Sequence, residues 1–156
     1  SANISCEGEI GFVGYQNGDH SKGTDPKEAK RFALDTGVDA MAISCGNVHL
    51  QENKEGALDV MLIKEIEKVT GIPLVIHGGS GVPVDQRKSL ARDTNICKFN
   101  IGTELRMVFG RALRNAINND QTRFDRVQIL EETINPVYDA TIDILKGFGA
   151  PNHLVS

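Results

Sequence analysis

Four short apolar runs, at residues 4–10, 40–44, 74–76 and 96–101, recur along this chain with helix-patterned segments between them. That alternation constrains the fold more than any other feature. Near-continuously apolar strands are covered on both faces, and strand–helix alternation lays helices over a parallel sheet. The intervening segments carry boundary signals of their own. "TDPKEAKRFALDTG" opens on Asp25 and Glu28, tolerates Pro26 in its first turn and stops at Gly37, with Ala29, Phe32, Ala33 and Thr36 as its apolar stripe. "LDVMLIKEIEKVTG" sets Leu58, Met61, Leu62, Ile66 and Val69 at helical spacing and ends at Gly71. Further helices are expected over 84–92 and 104–118. The tail after Asp125 also reads as helical, with a kink expected at Pro136 and with Leu130, Val137 and Ile144 on one face.

Four βα units suit half of an eight-stranded barrel better than a finished doubly wound sheet, which would place a glycine-rich fingerprint after its first strand. The first strand is followed instead by a polar excursion, "GFVGYQNGDHSKG", suited to a mobile flap. At 156 residues the chain is expected to form a single domain, 1–156. A net charge of −4 argues against a nucleic-acid partner, because neutralising phosphates needs a basic surface. Neither an apolar run of membrane-spanning length nor a signal-peptide pattern at Ser1 is present, so no membrane association is expected. Cys6, Cys45 and Cys97 are odd in number, far apart and set in apolar contexts, which reads as reduced thiols of a cytoplasmic protein.

Ligands of parallel α/β folds gather at the carboxyl ends of the strands. That rule selects Gly46 to His49 after the second run, His77 to Gly81 after the third, and Asn100 to Thr103 after the fourth. Two histidines at neighbouring strand ends can converge on one cation, and neutral imidazole is a common zinc ligand. Glycines admit an anion close to the backbone, and Ser80 and Thr103, each just before a helix, add hydroxyl and N–H donors. Taken singly, each motif has a plainer reading. A strand-end histidine is more often structural, "GGSG" more often a flexible turn, and "NIGTE" an ordinary helix start with Thr103 as its cap. Their joint position on one side of one sheet favours a site.

These residues carry a resemblance. "CGNVHL", "PLVIHGGSGVP" and "CKFNIGTELR" resemble, in order and spacing, three signatures of the class II, zinc-dependent ketose-bisphosphate aldolases. "CEGEIGFVG" is similar to the segment that precedes the family's mobile loop, and "TDPKEAKRFALDTGVDAMAIS" to the helix and strand after it. The resemblance implies a TIM (β/α)8 barrel, of which this chain supplies about the last four βα units and the C-terminal helices. It implies aldol cleavage of a ketose 1,6-bisphosphate, fructose or tagatose, to dihydroxyacetone phosphate and glyceraldehyde 3-phosphate. His49 and His77 match zinc histidines, and Glu9 matches a glutamate that contacts a second or displaced metal. Gly78, Gly79 and Ser80, with Asn100, Ile101, Gly102 and Thr103, match the substrate phosphate site. Cobalt, manganese or iron would also suit histidine and oxygen donors, and the site allows a monovalent cation beside the divalent one.

Three positions depart from the family pattern. The third zinc histidine and its adjacent catalytic aspartate have no counterpart before His49, so this chain alone should bind zinc weakly and should need the missing N-terminal half of the barrel. The loop glutamate used for proton transfer falls near Asn17, with Asp19 and His20 close by. Leu50 stands where glycine usually follows the zinc histidine. A half barrel also leaves open sheet edges, which favours a homo-oligomer. A divergent sugar-phosphate epimerase or lyase, and a non-catalytic phosphosugar-binding or assembly subunit, are the alternative readings.

Overall fold

The computed structural model describes residues 4–11, 14–15, 23–46, 48–49 and 57–149, and for 14–15 and 48–49 the backbone alone. The readings placed on Asn17, Asp19, His20, Asn47 and Leu50 lie outside these residues. The elements run β1 (Glu7–Ile10), β2 (Gly14–Tyr15), α1 (Pro26–Thr36), β3 (Ala40–Ile43), β4 (Val48–His49) and α2 (Val60–Thr70). They continue as β5 (Leu74–Ile76), α3 (Val84–Asp93), β6 (Ile96–Phe99), α4 (Thr103–Asn119) and α5 (Arg126–Gly147). Strands β1, β3, β5 and β6 form one sheet in that order, every pair parallel. The expected parallel sheet in chain order is therefore what the chain builds. β2 and β4 add a separate parallel pair, Gly14 opposite Val48 and Tyr15 opposite His49, which the apolar runs did not announce.

The chain divides into two compact units, Ser1–Ile101 and Gly102–Ser156. In the first, alternate strand residues point to opposite faces of the sheet. Met41, Ile43, Leu74, Ile76 and Ile96 share a buried cluster with Ala29, Ile63, Ile66 and Leu90 of the helices. Gly8 lies on the same face, where a Cβ would meet the Phe32 ring of α1 at 2.9 Å. The opposite face is polar at its margins. Register aligns Glu9, Ala42, Val75 and Lys98 in one row, with Glu7 beside Ala40. That row depends on an irregularity: Leu74 pairs with Ile96 but Val75 pairs with Lys98, so Cys97 is skipped.

Helix boundaries follow local chemistry. Asp25 caps α1 by accepting from the N–H groups of Lys27 and Glu28, with Pro26 as the first helical residue, and Gly37 closes it in the left-handed region. Asp59 caps α2 through the Leu62 N–H, and Gly71 ends it at φ 67°. Gln86 of α3 exchanges two hydrogen bonds with the Leu58 backbone, at 2.8 and 2.9 Å, tying α3 to the start of α2. Several expectations require correction. Thr36 is exposed, and Met61 is 78% exposed while Ile63 takes the buried place, because α2 turns Ile63 and Ile66 to the sheet. Ile4 lies outside β1 and is exposed, and β6 stops at Phe99. Cys45 is buried, but Cys6 and Cys97 are exposed, and none of the three is joined in a disulfide.

The second unit is a pair of packed helices. Asp125 caps α5 through the Val127 N–H, and Arg123 joins Asp120 before it to Glu132 within it. Pro136 sits inside α5, whose helical assignment continues on both sides of it. Leu130 is 45% exposed, and the buried position on this helix is Thr133. Among the described residues no helix is long and apolar enough to cross a membrane.

Candidate active site

Thr24 ties together the carboxyl ends of β1 and β3. Its hydroxyl donates to the Ile10 carbonyl at 3.0 Å and accepts from the Ser44 N–H at 2.9 Å, while its own N–H donates to the Ser44 carbonyl. The next strand end belongs to His77. β5 is buried throughout and His77 is the first residue past it, so the imidazole stands at the rim of the sheet. Its Nε2 lies 3.5 Å from Glu7 Oε1 and its Nδ1 3.6 Å from Glu9 Oε1. Glu7 and Glu9 reach it together because they are two residues apart on β1 and share its open face. Lys98 of β6 donates to Glu7 Oε2 at 2.7 Å. The lysine ammonium holds the Glu7 carboxyl below its ordinary value of 4.5, with the His77 hydrogen bond acting in the same direction against partial burial.

Directly after His77, Gly78 adopts the left-handed region at φ 68°, and Gly79–Gly81 form one 3₁₀ turn, all buried. The Gly79 N–H donates to the Asn100 carbonyl at 3.1 Å, and the Asn100 N–H to the Ile76 carbonyl at 2.9 Å. The turn thus lies flat against the end of β6. A Cβ on Gly79 would stand 3.3 Å from the Asn100 carbonyl oxygen, so the close approach requires glycine or a small displacement. Ser80 lies within the turn, three residues before Pro83, the N-cap of α3. Beneath it, Arg87 of α3, 2% exposed, donates to the Val82 carbonyl at 2.8 Å and the Ser80 carbonyl at 3.2 Å.

In the second unit, Gly102 is the N-cap of α4 and makes no side-chain cap bond. Thr103 is the first helical residue instead of the cap, and its hydroxyl accepts from Arg106 Nη2 at 3.1 Å. The α4 dipole is served by Glu104 in the first turn.

The structure brings His77 and Glu9 together, and seats Gly79, between Gly78 and Ser80, against Asn100. His49 is placed on β4 by its backbone, and its side chain lies outside the description. An imidazole with a carboxylate is a donor set that zinc accepts. Among the described residues, however, no group of three or more His, Cys, Asp or Glu side chains is arranged to hold a metal ion. His77 and Glu9 therefore fit part of a centre. Cys45 is buried beneath the sheet end, and burial first and then Asp59 push its thiol up to about 12. Glu7, Lys98 and Arg87 escaped the sequence reading. Charges at alternate positions of a strand were the available signal for Glu7; nothing in the α3 sequence marks Arg87 as buried.

The family model for class-II fructose-bisphosphate aldolase matches residues 1–153. The chain belongs to that family. A fructose-bisphosphate aldolase of Staphylococcus aureus (strain Mu50 / ATCC 700699) is 34% identical over 154 residues, covering 96% of this chain and 53% of that protein. The chain thus spans about half the length of the curated relatives it matches. Among solved structures, the YdjI aldolase from Escherichia coli K12 superposes with a TM-score of 0.67 at 28% identity, over 94% of this chain and 48% of that one. A fructose-bisphosphate aldolase from Campylobacter jejuni gives 0.71 at 20% identity, over 96% and 51%, and supports the barrel-type fold. The family is that of zinc-dependent lyases with TIM-barrel architecture, and the α/β fold of this chain accounts for about half of one.

Proposed function

We propose that the full-length protein is a cytoplasmic, metal-dependent lyase that cleaves a ketose 1,6-bisphosphate, fructose or tagatose, to dihydroxyacetone phosphate and glyceraldehyde 3-phosphate. The observation that carries this reading is the run from β5 into the site. His77 stands between two carboxylates, and the next three residues turn back on the end of β6. Metal ligation and anion binding are thereby adjacent in one rigid segment. In this reading both compact units belong to one catalytic domain. The outer edges of β1 and β6 pair with the other half of the barrel, since neither has a second partner among the described strands. A homo-oligomer follows from the same need to cover apolar surface.

His49 and His77 would hold a zinc ion together with donors from elsewhere in the full-length protein, and Glu9 would contact a second or displaced position. When bound, zinc supplies Lewis-acid polarisation of the ketose carbonyl. The chain's own residues bind and orient. Gly78, Gly79 and Ser80 form the cradle for the phosphate of the dihydroxyacetone moiety, and Asn100 and Ile101 border it, with Gly102 and Thr103 as the remaining candidates for that role. The Gly79 N–H is committed to Asn100, so its part is to let the backbone approach, and donation falls to its neighbours. Lys98 beside Glu7 keeps that carboxylate ionised near the imidazole.

The test uses the full-length protein with its metal content measured. His77→Ala and His49→Ala should each lose bound zinc and reduce cleavage of both bisphosphates to background while the fold persists. Full turnover by both variants after exhaustive chelation would remove zinc catalysis. Retained phosphate binding without any cleavage by the wild type would instead favour a binding subunit.

A further inference from the structure

We propose that Arg87 is a positioning residue for the phosphate cradle: from beneath, it fixes the peptide planes of the turn that follows His77. The inference rests on the functional reading above and extends it to a residue outside the motifs. Arg87 heads the fully buried side chains by volume, and arginine is seldom buried unless its donors are engaged. Two of them go to the carbonyls of Ser80 and Val82, which flank Gly81. A helix of ten residues needs no buried guanidinium for its own stability. Leucine or isoleucine at that position would pack against the sheet without the desolvation cost.

The geometry gives the guanidinium a specific task. The turn contains three glycines in four residues, Gly78, Gly79 and Gly81, and glycine-rich backbone has many conformations to lose. Its internal bonds are long, 3.4 Å from the Gly81 N–H to the Gly78 carbonyl and 3.2 Å from the Val82 N–H to the Gly79 carbonyl. The Arg87 fork adds a rigid, planar anchor of two donors. Holding the Ser80 carbonyl sets the plane of the Ser80–Gly81 peptide, which fixes the backbone of the residue that carries the hydroxyl and aims the Gly81 N–H. The cradle is ordered before an anion arrives, which removes an entropic cost from binding. On this account phosphate affinity passes through a residue that does not touch the phosphate.

The experiment compares wild type, Arg87→Met and Arg87→Lys in the full-length, metal-loaded protein. Calorimetric titration with dihydroxyacetone phosphate reads affinity, and amide hydrogen exchange reads order in the turn. Arg87→Met should weaken the ligand about tenfold and speed exchange at Gly79, Gly81 and Val82 by a similar factor, with β3 amides unchanged. Arg87→Lys, which keeps a cation but not the fork, should fall between. If Arg87→Met does not fold, Arg87→Lys decides by the same two readings. Affinity within about twofold of wild type, or unchanged exchange in the turn, overturns the inference and leaves the functional reading standing. A wild type that does not bind dihydroxyacetone phosphate overturns both.

Discussion

The two faces of the four-stranded sheet use the same backbone for opposite ends. On one, Met41, Ile43, Leu74 and Ile76 are excluded from water and pack against Ile63, Ile66 and Leu90. On the other, Glu7, Glu9 and Lys98 project among the small or compact side chains of Ala40, Ala42 and Val75. The first face stabilises by burial, which is proportional to area and indifferent to exact placement. The second holds charges at defined distances, and each ion pair there is worth little for stability. What the contrast teaches is where to expect each kind of defect. Damage to the helix-covered face should unfold the domain, and damage to the other should leave it folded with altered chemistry.

The largest stability effect is expected at Ile66, where truncation to alanine leaves a cavity beside β3 and β5. Ile66→Ala should cost about 2–5 kcal/mol in denaturant unfolding. A loss below that of an exposed substitution such as Met61→Ala would show that this face does not carry the fold. At the junction of the two faces, Gly79→Ala should cost about 1–3 kcal/mol, because the new methyl group presses on the Asn100 carbonyl at 3.3 Å. Thermal unfolding measures it, and an unchanged midpoint would mean that the turn yields freely. On the polar face, Lys98→Met should change stability by no more than about 1 kcal/mol. A multi-kilocalorie loss there would erase the distinction between the faces.

The smallest effect concerns pH. Glu7 has a folded-state pKa below its ordinary 4.5, owing first to Lys98, so the native state favours the carboxylate. Its contribution is fully present above 4.5 and disappears as pH falls through the depressed value. Wild type should therefore lose slightly more stability than Lys98→Met between about pH 5 and the foot of the Glu7 titration. Parallel acid-side profiles in the two proteins would detach Lys98 from Glu7.

The two faces were also unequally legible. Apolar runs at strand spacing announced β1, β3, β5 and β6 and their parallel order, although only β3 and β5 are covered on both sides while β1 and β6 expose residues. The motif after β5 follows the same logic, since His77 and Gly78 lie just past such a run. Side-chain direction was harder to read. Met61 and Ile63 both fit helical spacing, and only the packing of α2 on the sheet selects Ile63. β2 and β4 are two residues each, too short for any periodicity to register. The Glu7–Lys98 pair spans 91 positions and passes over β3 and β5, a contact that no local pattern encodes. Arg87 sits in a helix of charged and polar residues, where nothing sets it apart from Lys88 or Arg92.

The skipped residue in β6 has a consequence of parity. A strand alternates sides with every step, so whichever residues are odd before an insertion become even after it. Ile96 faces the helices opposite Leu74; by strict alternation Lys98 would follow it there, opposite Ile76, with its ammonium under α3 or its neighbours. Because Cys97 drops out of step, Lys98 moves to the side of Val75, and Phe99 takes the place opposite Ile76. A deletion of Cys97 would restore the simple beat of the strand and keep both assignments, whereas pairing Cys97 in step with Val75 would reverse them, driving a cation inward and an aromatic ring outward. One residue of slack at the middle of a four-residue strand thus acts as a switch of side for everything after it, and Glu7 meets a lysine instead of a bare strand because of it.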